Sequence, residues 1–314
     1  MRADRFDIGD AGLIIDVHTH HIPHSCLDLE NATLGGATPL GDLTDVGRRL
    51  QDMDSTGVDM HVLSVPPGLF NRGSSATRRL TIGIAETVDK HRDRFIGLAA
   101  VAMTEPEGAA DELEYAIKEL GLQGLEIGSN VRGTNLDARE FAPLYAKIQE
   151  LDVPVFIHPV DVMGGDRLGR YYLRNLLGNP TDTAVAAASL IFGGVLKEFP
   201  GLRFYLAHGG GSCPYLRGRW EQGWRVRDDV KANISSPPEE YFKLLYFDSI
   251  THSAHALSYL VESVGANKVM LGSDYPFDMG VPDPVKTVTS LPHLSESQKE
   301  LILGGNARAL FKLS

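Results

Sequence analysis

The stretch LIIDVHTH, residues 13–20, joins a short apolar run to a pair of histidines. Similar runs recur along the chain, and an amphipathic segment follows each of them. Near-continuous apolar runs are typical of parallel strands that are buried on both faces. We identify eight such runs: Leu13–Val17, Val58–Val65, Phe95–Val101, Gly124–Ile127, Val153–Ile157, Arg203–Ala207, Leu244–Phe247 and Lys268–Leu271.

The segments between the runs have the spacing of helices. Leu43–Ser55 carries apolar residues three and four positions apart, and Gly57 follows it as a stop signal. Ala109–Leu120 and Glu140–Leu151 have the same pattern. Repeated strand–helix units predict an α/β fold, a TIM (β/α)₈ barrel that forms a single domain over residues 1–314. A doubly wound sheet is the weaker alternative, because no G-x-G-x-x-G follows the first run.

The composition restricts the class of protein. A chain of 314 residues can bury a core without disulfides or a structural metal, so a bound metal would serve catalysis. The net charge of −11 argues against nucleic acid and anionic membranes as partners, although local arginines could still bind a small anionic substrate. The cysteines Cys26 and Cys213 suit a reducing compartment. No signal peptide is evident in MRADRFDIGDAG, residues 1–12, and we expect a cytoplasmic protein.

Histidine and aspartate residues follow several of the predicted strands. His18 and His20 end the first, His158 ends the fifth, and Asp274 follows the eighth. Side chains two apart on a strand point the same way, and the carboxyl ends of barrel strands meet at one rim. Each motif alone is a weak signal, and an isolated H-x-H is more often structural. Their joint placement predicts a site for one divalent cation.

Four motifs make the chain recognisable: DVHTH at 16–20, IHP at 157–159, AHGGG at 207–211 and GSDYPF at 272–277. With them, the sequence resembles the amidohydrolase superfamily and, within it, the branch of non-oxidative decarboxylases. The resemblance extends over nearly the whole chain. It includes RRLQDMDSTGV at 48–58, GLQGLEIGSNV at 121–131, GGVLKEFPGLRFYLAHGGG at 193–211 and the GNA at 305–307.

The resemblance implies a role for each residue of the predicted centre. His18, His20, His158 and Asp274 would bind one divalent metal, zinc with manganese as the alternative, and Asp274 would also take part in catalysis. His208 would be the acid/base that activates a metal-bound water. A fifth metal ligand is the alternative role for His208.

The resemblance also implies substrate-binding residues. Arg49 and Arg227 would hold the substrate carboxylate, although the residues alone favour solvated charges on helix faces. In the family, the second of these arginines reaches the active site of a neighbouring subunit, so we expect a homodimer. Phe277 would line the pocket. Trp220 and Trp224 share one helical face, and they either meet the partner or pack on their own barrel.

The chain departs from its branch in the loop after the fifth strand. Where a decarboxylase of this branch has tryptophans, this chain has Val160, Tyr172 and Asn175, with Arg174 beside the last. A larger and more polar pocket would follow. The fourth run contains Glu126 but ends without a lysine, so we do not expect a two-metal site of the hydantoinase type.

The predicted function is a metal-dependent, cofactor-free decarboxylase of a carboxylated muconate semialdehyde or a related unsaturated or aromatic acid. Its substrate would be a small carboxylic acid of aromatic catabolism. A hydrolase or hydratase acting on a lactone, an amide or a ring-cleavage product could use the same metal site. A non-catalytic metal-binding protein is the third possibility. Release of carbon dioxide distinguishes the first from the second.

Overall fold

The computed structural model of the chain describes residues 12–30, 40–69 and 71–313. Parallel strands follow one another in chain order around a single sheet. They are β1 Ile15–His20, β2 Met60–Ser64, β3 Phe95–Ala100, β4 Gly124–Gly128, β5 Pro154–His158, β6 Arg203–Leu206, β7 Tyr246–Asp248 and β8 Val269–Met270. A short antiparallel hairpin, Asn130–Val131 with Thr134–Asn135, follows β4.

The sheet closes because the chain at and beyond β8 pairs with β1. The backbone N–H of Val17 donates to the carbonyl of Leu271 at 2.9 Å, and that of His20 donates to the carbonyl of Tyr275 at 2.7 Å. The N–H of Asp274 donates in turn to the carbonyl of His18 at 2.8 Å. The predicted TIM barrel is therefore confirmed, and the carboxyl ends of its strands meet at one rim.

Helices surround the barrel. They are α1 Leu40–Thr44, α2 Val46–Thr56, α3 Ser74–Lys90, α4 Pro106–Lys118, α5 Ala142–Leu151, α6 Asn179–Phe192, α7 Val195–Glu198, α8 Cys213–Val226, α9 Pro238–Phe242, α10 Ala254–Val264, α11 Pro284–Thr289, α12 Glu296–Glu300 and α13 Asn306–Phe311. Within the part of the chain that the structure describes, none of them has both the length and the apolar character that crossing a membrane requires.

Element boundaries differ from the sequence prediction by a few residues, for local reasons. The first strand was expected to end at Val17, but β1 continues to His20 because it still pairs with β2 there. The helix expected at Leu43–Ser55 is α2, which begins at Val46. The side chain of Asp45 accepts a hydrogen bond from the N–H of Arg48 and so caps this helix. Gly57 ends α2 at φ 75°, as predicted.

The barrel interior is filled beneath the rim by aromatic side chains. Phe156 and Tyr205 are stacked with their ring centroids 4.6 Å apart, and the ring of His18 meets Phe156 at 4.7 Å. All three side chains are buried. His18 at the rim therefore packs directly on the aromatic side chains that fill the barrel interior. The prediction of one domain over residues 1–314 stays a prediction, because residues 1–11, including most of the N-terminal segment considered above, lie outside those that the structure describes.

Candidate active site

The predicted metal ligands meet at the rim of the barrel. The Nε2 atoms of His18 and His20 are 3.2 Å apart, and Oδ1 of Asp274 lies 3.3 Å from the first and 3.2 Å from the second. His18, His158, His208 and Asp274 each offer one ligand atom within 4.8 Å of the others. The fold thus brings together side chains from four places in the chain that lie far apart in sequence.

Hydrogen bonds on the opposite side of each imidazole fix its tautomer. The Nδ1 atom of His20 lies 3.1 Å from the carbonyl of Val65, and the Nδ1 atom of His158 lies 3.0 Å from the carbonyl of Pro159. A carbonyl only accepts, so each Nδ1 carries a proton and each Nε2 presents a lone pair. Histidines that bind metals are held by this arrangement in proteins generally.

These electron-rich atoms lie close enough together to bind one cation. Oδ1 of Asp274 is buried with no hydrogen-bond partner among the described residues, although it is close to His18 and His20. Metal–ligand bonds of about 2.0–2.1 Å separate neighbouring ligands by about 2.9 Å in octahedral and about 3.4 Å in tetrahedral geometry. The observed separations of 3.2–3.3 Å fall within that interval. The residues present therefore fit one divalent cation.

The electrostatic environment favours neutral imidazoles at His20 and His158 beside an ionised carboxylate, and it favours positive charge at His18. Burial lowers the pKa of His20, and burial with the neighbouring imidazoles lowers the pKa of His158 well below its usual value. Burial raises the pKa of Asp274, but His18 and the surrounding hydrogen bonds outweigh it and hold that pKa well below the usual range. Burial lowers the pKa of His18, whereas Asp274 and Asp248 raise it to about 10. The carboxylates thus stabilise positive charge at this position.

Asp248, the last residue of β7, is a site residue that the sequence analysis missed. Its Oδ2 accepts hydrogen bonds from Nδ1 of His18 at 2.6 Å and from the backbone N–H of His208 at 2.8 Å. Its Oδ1 accepts from the N–H groups of Gly209 at 2.7 Å and Ile250 at 3.0 Å. One carboxylate therefore orients a predicted metal ligand and the turn that carries His208. The available signal was an acidic residue directly after the seventh apolar run.

The turn after β6 holds His208 in a conformation that few residues adopt. His208 has φ 56°, in the left-handed region that disfavours residues other than glycine. A Cβ atom on Gly211 would lie 2.1 Å from the carbonyl oxygen of Pro180, so this position of the AHGGG motif requires glycine. The Nε2 atom of His208 lies 3.5 Å from Oδ2 of Asp274, and Nδ1 is buried without a partner among the described residues.

A cavity of about 240 Å³ lies above the metal ligands. Its wall includes His158, His208, Asp274 and the predicted pocket residue Phe277, whose ring lies 5.0 Å from that of His20. The loop between β5 and α6 supplies the opposite wall. Its contributors are the residues at which the chain departs from its branch: Val160, Tyr172, Arg174 and Asn175.

Arg49 does not appear among the described residues that line this cavity. Its side chain is 1% exposed and donates a hydrogen bond to the carbonyl of His20. The Nη1 atom lies 3.2 Å from Nδ1 of His61, and the guanidinium lies over the ring of Tyr275 at 4.6 Å. In this structure, Arg49 therefore holds the backbone at the end of β1 and does not face the cavity.

Arg227 also lies outside the cavity of its own chain. It follows the end of α8, is exposed, and forms an ion pair with Asp229 at 3.1 Å. Trp220 packs on Phe192 and Phe242 of the same chain, so it meets its own barrel. The role of Arg227 in a neighbouring subunit stays a prediction.

Comparison with known proteins places the chain among named relatives. Residues 15–313 match the family model described as Amidohydrolase. The chain is 37% identical over 324 residues to 2-amino-3-carboxymuconate-6-semialdehyde decarboxylase of Dictyostelium discoideum, a match that covers 94% of this chain and 90% of the relative.

Solved structures give the same result. The 5-carboxyvanillate decarboxylase from Sphingomonas paucimobilis superposes with a TM-score of 0.85 at 27% identity, covering 96% of this chain and 99% of that one. Dihydroxybenzoic acid decarboxylase from Polaromonas sp. JS666, solved with bound manganese and the inhibitor 2-nitroresorcinol, has a TM-score of 0.85 at 26% identity, covering 96% and 97%. The chain therefore belongs to the amidohydrolase family and, within it, to the branch of decarboxylases, which are carbon–carbon lyases.

Proposed function

We propose that this protein is a metal-dependent, non-oxidative decarboxylase of a small unsaturated or aromatic carboxylic acid, working without an organic cofactor. The observation that carries the proposal is that the two oxygens of the Asp274 carboxylate face different histidines. Its Oδ1 faces the Nε2 atoms of His18 and His20, and its Oδ2 faces Nε2 of His208. The proposed metal ligands and the imidazole proposed for proton transfer thus share one carboxylate at the inner end of the cavity. The decarboxylase relatives support this assignment.

His18, His20, His158 and Asp274 would hold the metal. The sequence favours zinc, while the Polaromonas structure contains manganese, so we propose these two metals as the candidates. When bound, the cation supplies positive charge that lowers the pKa of a water ligand and stabilises negative charge on the substrate. Asp248 would keep His18 in the tautomer that leaves its Nε2 lone pair available.

The cavity selects the class of substrate. A volume of about 240 Å³ suits an acid with a single ring or a short unsaturated chain. Phe277 and Tyr172 offer aromatic surfaces to a planar substrate. Arg49 would contribute by holding the carbonyl of His20, and Arg227 by entering the site of a second subunit. A carboxylated muconate semialdehyde and a hydroxybenzoate both meet these requirements.

His208 would donate the proton that the reaction consumes. Decarboxylation breaks the bond between the carboxylate and its carbon, leaves the electron pair on that carbon, and requires one proton there. The products are carbon dioxide and the substrate with hydrogen in place of the carboxylate. Imidazole is the side chain that most often transfers protons in enzymes, and His208 lines the cavity beside Asp274.

The test is product analysis on reconstituted enzyme. Protein loaded with zinc or with manganese is incubated with ortho-hydroxybenzoates and a carboxymuconate semialdehyde, and carbon dioxide and the organic product are both quantified. We expect one carbon dioxide for each acid consumed, and a turnover about 10²- to 10⁴-fold lower in His208→Ala. Hydrolysis or hydration products without carbon dioxide would instead identify a hydrolase or hydratase.

The setting of the reaction is also part of this proposal. Cys26 and Cys213 are both free and buried, which suits a reducing compartment such as the cytoplasm. We further propose that the active form is a homodimer.

A further inference from the structure

One cationic side chain lines the cavity and has no assigned role. Arg174 shares this wall with the metal ligands His158 and Asp274. Among the described lining residues it is the one arginine or lysine, since neither Arg49 nor Arg227 contributes. The side chain of Arg174 is exposed whereas the metal ligands are buried. The cavity therefore has a proposed metal-binding end in the interior and an arginine residue on its solvent side.

The guanidinium is available to a ligand. Within the described part of the chain, no carboxylate forms an ion pair with Arg174. The carboxylates that line the same cavity are engaged elsewhere. Asp161 accepts a hydrogen bond from Nδ2 of Asn71 at 2.7 Å, and Asp274 faces the histidines. An arginine without an internal partner at the wall of a substrate cavity is suited to bind an anion from solution.

The loop that carries Arg174 is held in a strained conformation. Tyr171 and Tyr172 have φ 58° and 57°, two consecutive side chains in the left-handed region. The next segment, Arg174–Gly178, is a single π-helical turn. Such strain and π-helical turns are concentrated at functional sites, where the surrounding structure maintains them.

Two contacts maintain this loop. The carboxylate of Asp182 accepts a hydrogen bond from the N–H of Met163 at 3.0 Å, which ties the start of the loop to α6. A Cβ atom on Gly178 would lie 2.6 Å from a methyl carbon of Val162, so the loop closes on itself only with glycine there. These two features fix the backbone of the loop that carries Arg174.

We propose that Arg174 binds a second carboxylate of the substrate, on the side of the cavity away from the metal. The inference deepens the proposed function and rests on it, because it takes the first carboxylate to be the one that is lost. Asn175 and Asn179 line the same cavity and have side-chain amides that can donate further hydrogen bonds to the anion. The preferred substrates are therefore planar dicarboxylic acids.

Equilibrium binding tests the subsite without turnover. Benzoate, isophthalate and terephthalate are titrated calorimetrically into metal-loaded wild type and into Arg174→Met, Arg174→Lys and Arg170→Met. Arg170 is the matched control, because it lies four residues earlier, packs on the ring of Tyr171 at 4.8 Å and is absent from the described wall. Metal content and thermal midpoint are measured for each variant to establish that the fold and metal centre are retained.

We expect wild type to bind at least one dicarboxylate about 10- to 100-fold more tightly than benzoate, the range for a hydrogen-bonded charge. Arg174→Met should lose this preference while its benzoate affinity is unchanged, Arg174→Lys should keep part of it, and Arg170→Met should keep all of it. A wild type without preference, or a preference that survives in Arg174→Met, would overturn the subsite.

The two proposals fail in different ways. If Arg174→Met loses the preference but wild type releases no carbon dioxide from any acid tested, the subsite stands and the proposed decarboxylase does not. If the enzyme releases carbon dioxide while Arg174→Met keeps the full preference for a dicarboxylate, the decarboxylase stands and the subsite is refuted.

Discussion

Asp248 and His18 are joined by a hydrogen bond of 2.6 Å between Oδ2 and Nδ1, and the same oxygen accepts the backbone N–H of His208 at 2.8 Å. The carboxylate lies at the end of β7 and is fully buried. It therefore couples the orientation of the proposed metal ligand His18 to the position of His208, the residue that we assign to proton transfer.

The coupling predicts the effect of Asp248→Asn. An amide is a weaker acceptor for the Nδ1 proton of His18, so the affinity for metal should fall about 10- to 100-fold. Competition with a fluorescent chelator measures this change. Glu240→Gln, at an exposed ion pair with Lys243, is the control and should leave the affinity unchanged. Equal affinities for wild type and Asp248→Asn would refute an orienting role.

The ligand geometry predicts one divalent metal per chain. Elemental analysis of purified protein should give a stoichiometry near one, and Asp274→Ala should lose both metal and activity. Because the metal binds the folded state, its addition to chelator-treated protein should raise the thermal midpoint. Two metals per chain, or full activity after complete removal, would be incompatible with this site.

The two proposed roles of His208 predict different results for His208→Ala. If the residue transfers protons, the variant should retain its metal and lose about 10²- to 10⁴-fold in turnover. Metal content and turnover are measured on the same preparation. Loss of the metal would show instead that His208 is a ligand, as its distance from the other ligand atoms also permits.

The position of Arg49 predicts a defect in stability. Arg49→Met removes donors from the buried carbonyl of His20 and from His61, so the free energy of unfolding should fall by about 1–3 kcal/mol. Denaturant unfolding measures it, with Arg48→Met as the matched control on the same helix, since Arg48 is exposed and pairs with Asp42. Unchanged stability with a raised KM would support the substrate-binding role predicted from the sequence.

The proposed dimer predicts complementation between inactive chains. Arg227→Ala and His208→Ala, each inactive alone, should regain partial activity when mixed, because one of the two sites in the mixed dimer then carries neither defect. Exposed Tyr215 and Leu176, at the same rim, suit burial against a second copy. Sedimentation establishes the assembly and confirms exchange of subunits. If exchange occurs without recovery, Arg227 does not act in trans.

The sequence by itself determined the barrel and predicted a set of metal ligands at its rim. Apolar runs alternating with amphipathic segments are compatible with few architectures, and the carboxyl ends of parallel barrel strands all face one rim. His18, His20, His158 and Asp274 could therefore be assigned to one centre from their positions at strand ends. Their convergence follows from the backbone topology, which local patterns encode.

Only the tertiary structure decided where the remaining charged side chains point. Asp248 contacts His18 across 230 positions of sequence, and Arg49 donates a hydrogen bond to the carbonyl of His20 instead of lining the cavity. Arg174 lines the cavity from a loop in which Tyr171 and Tyr172 adopt left-handed backbone angles, which tyrosine ordinarily avoids. Such placements depend on packing between distant segments and on strained loop conformations, and neither has a periodic signal in the sequence.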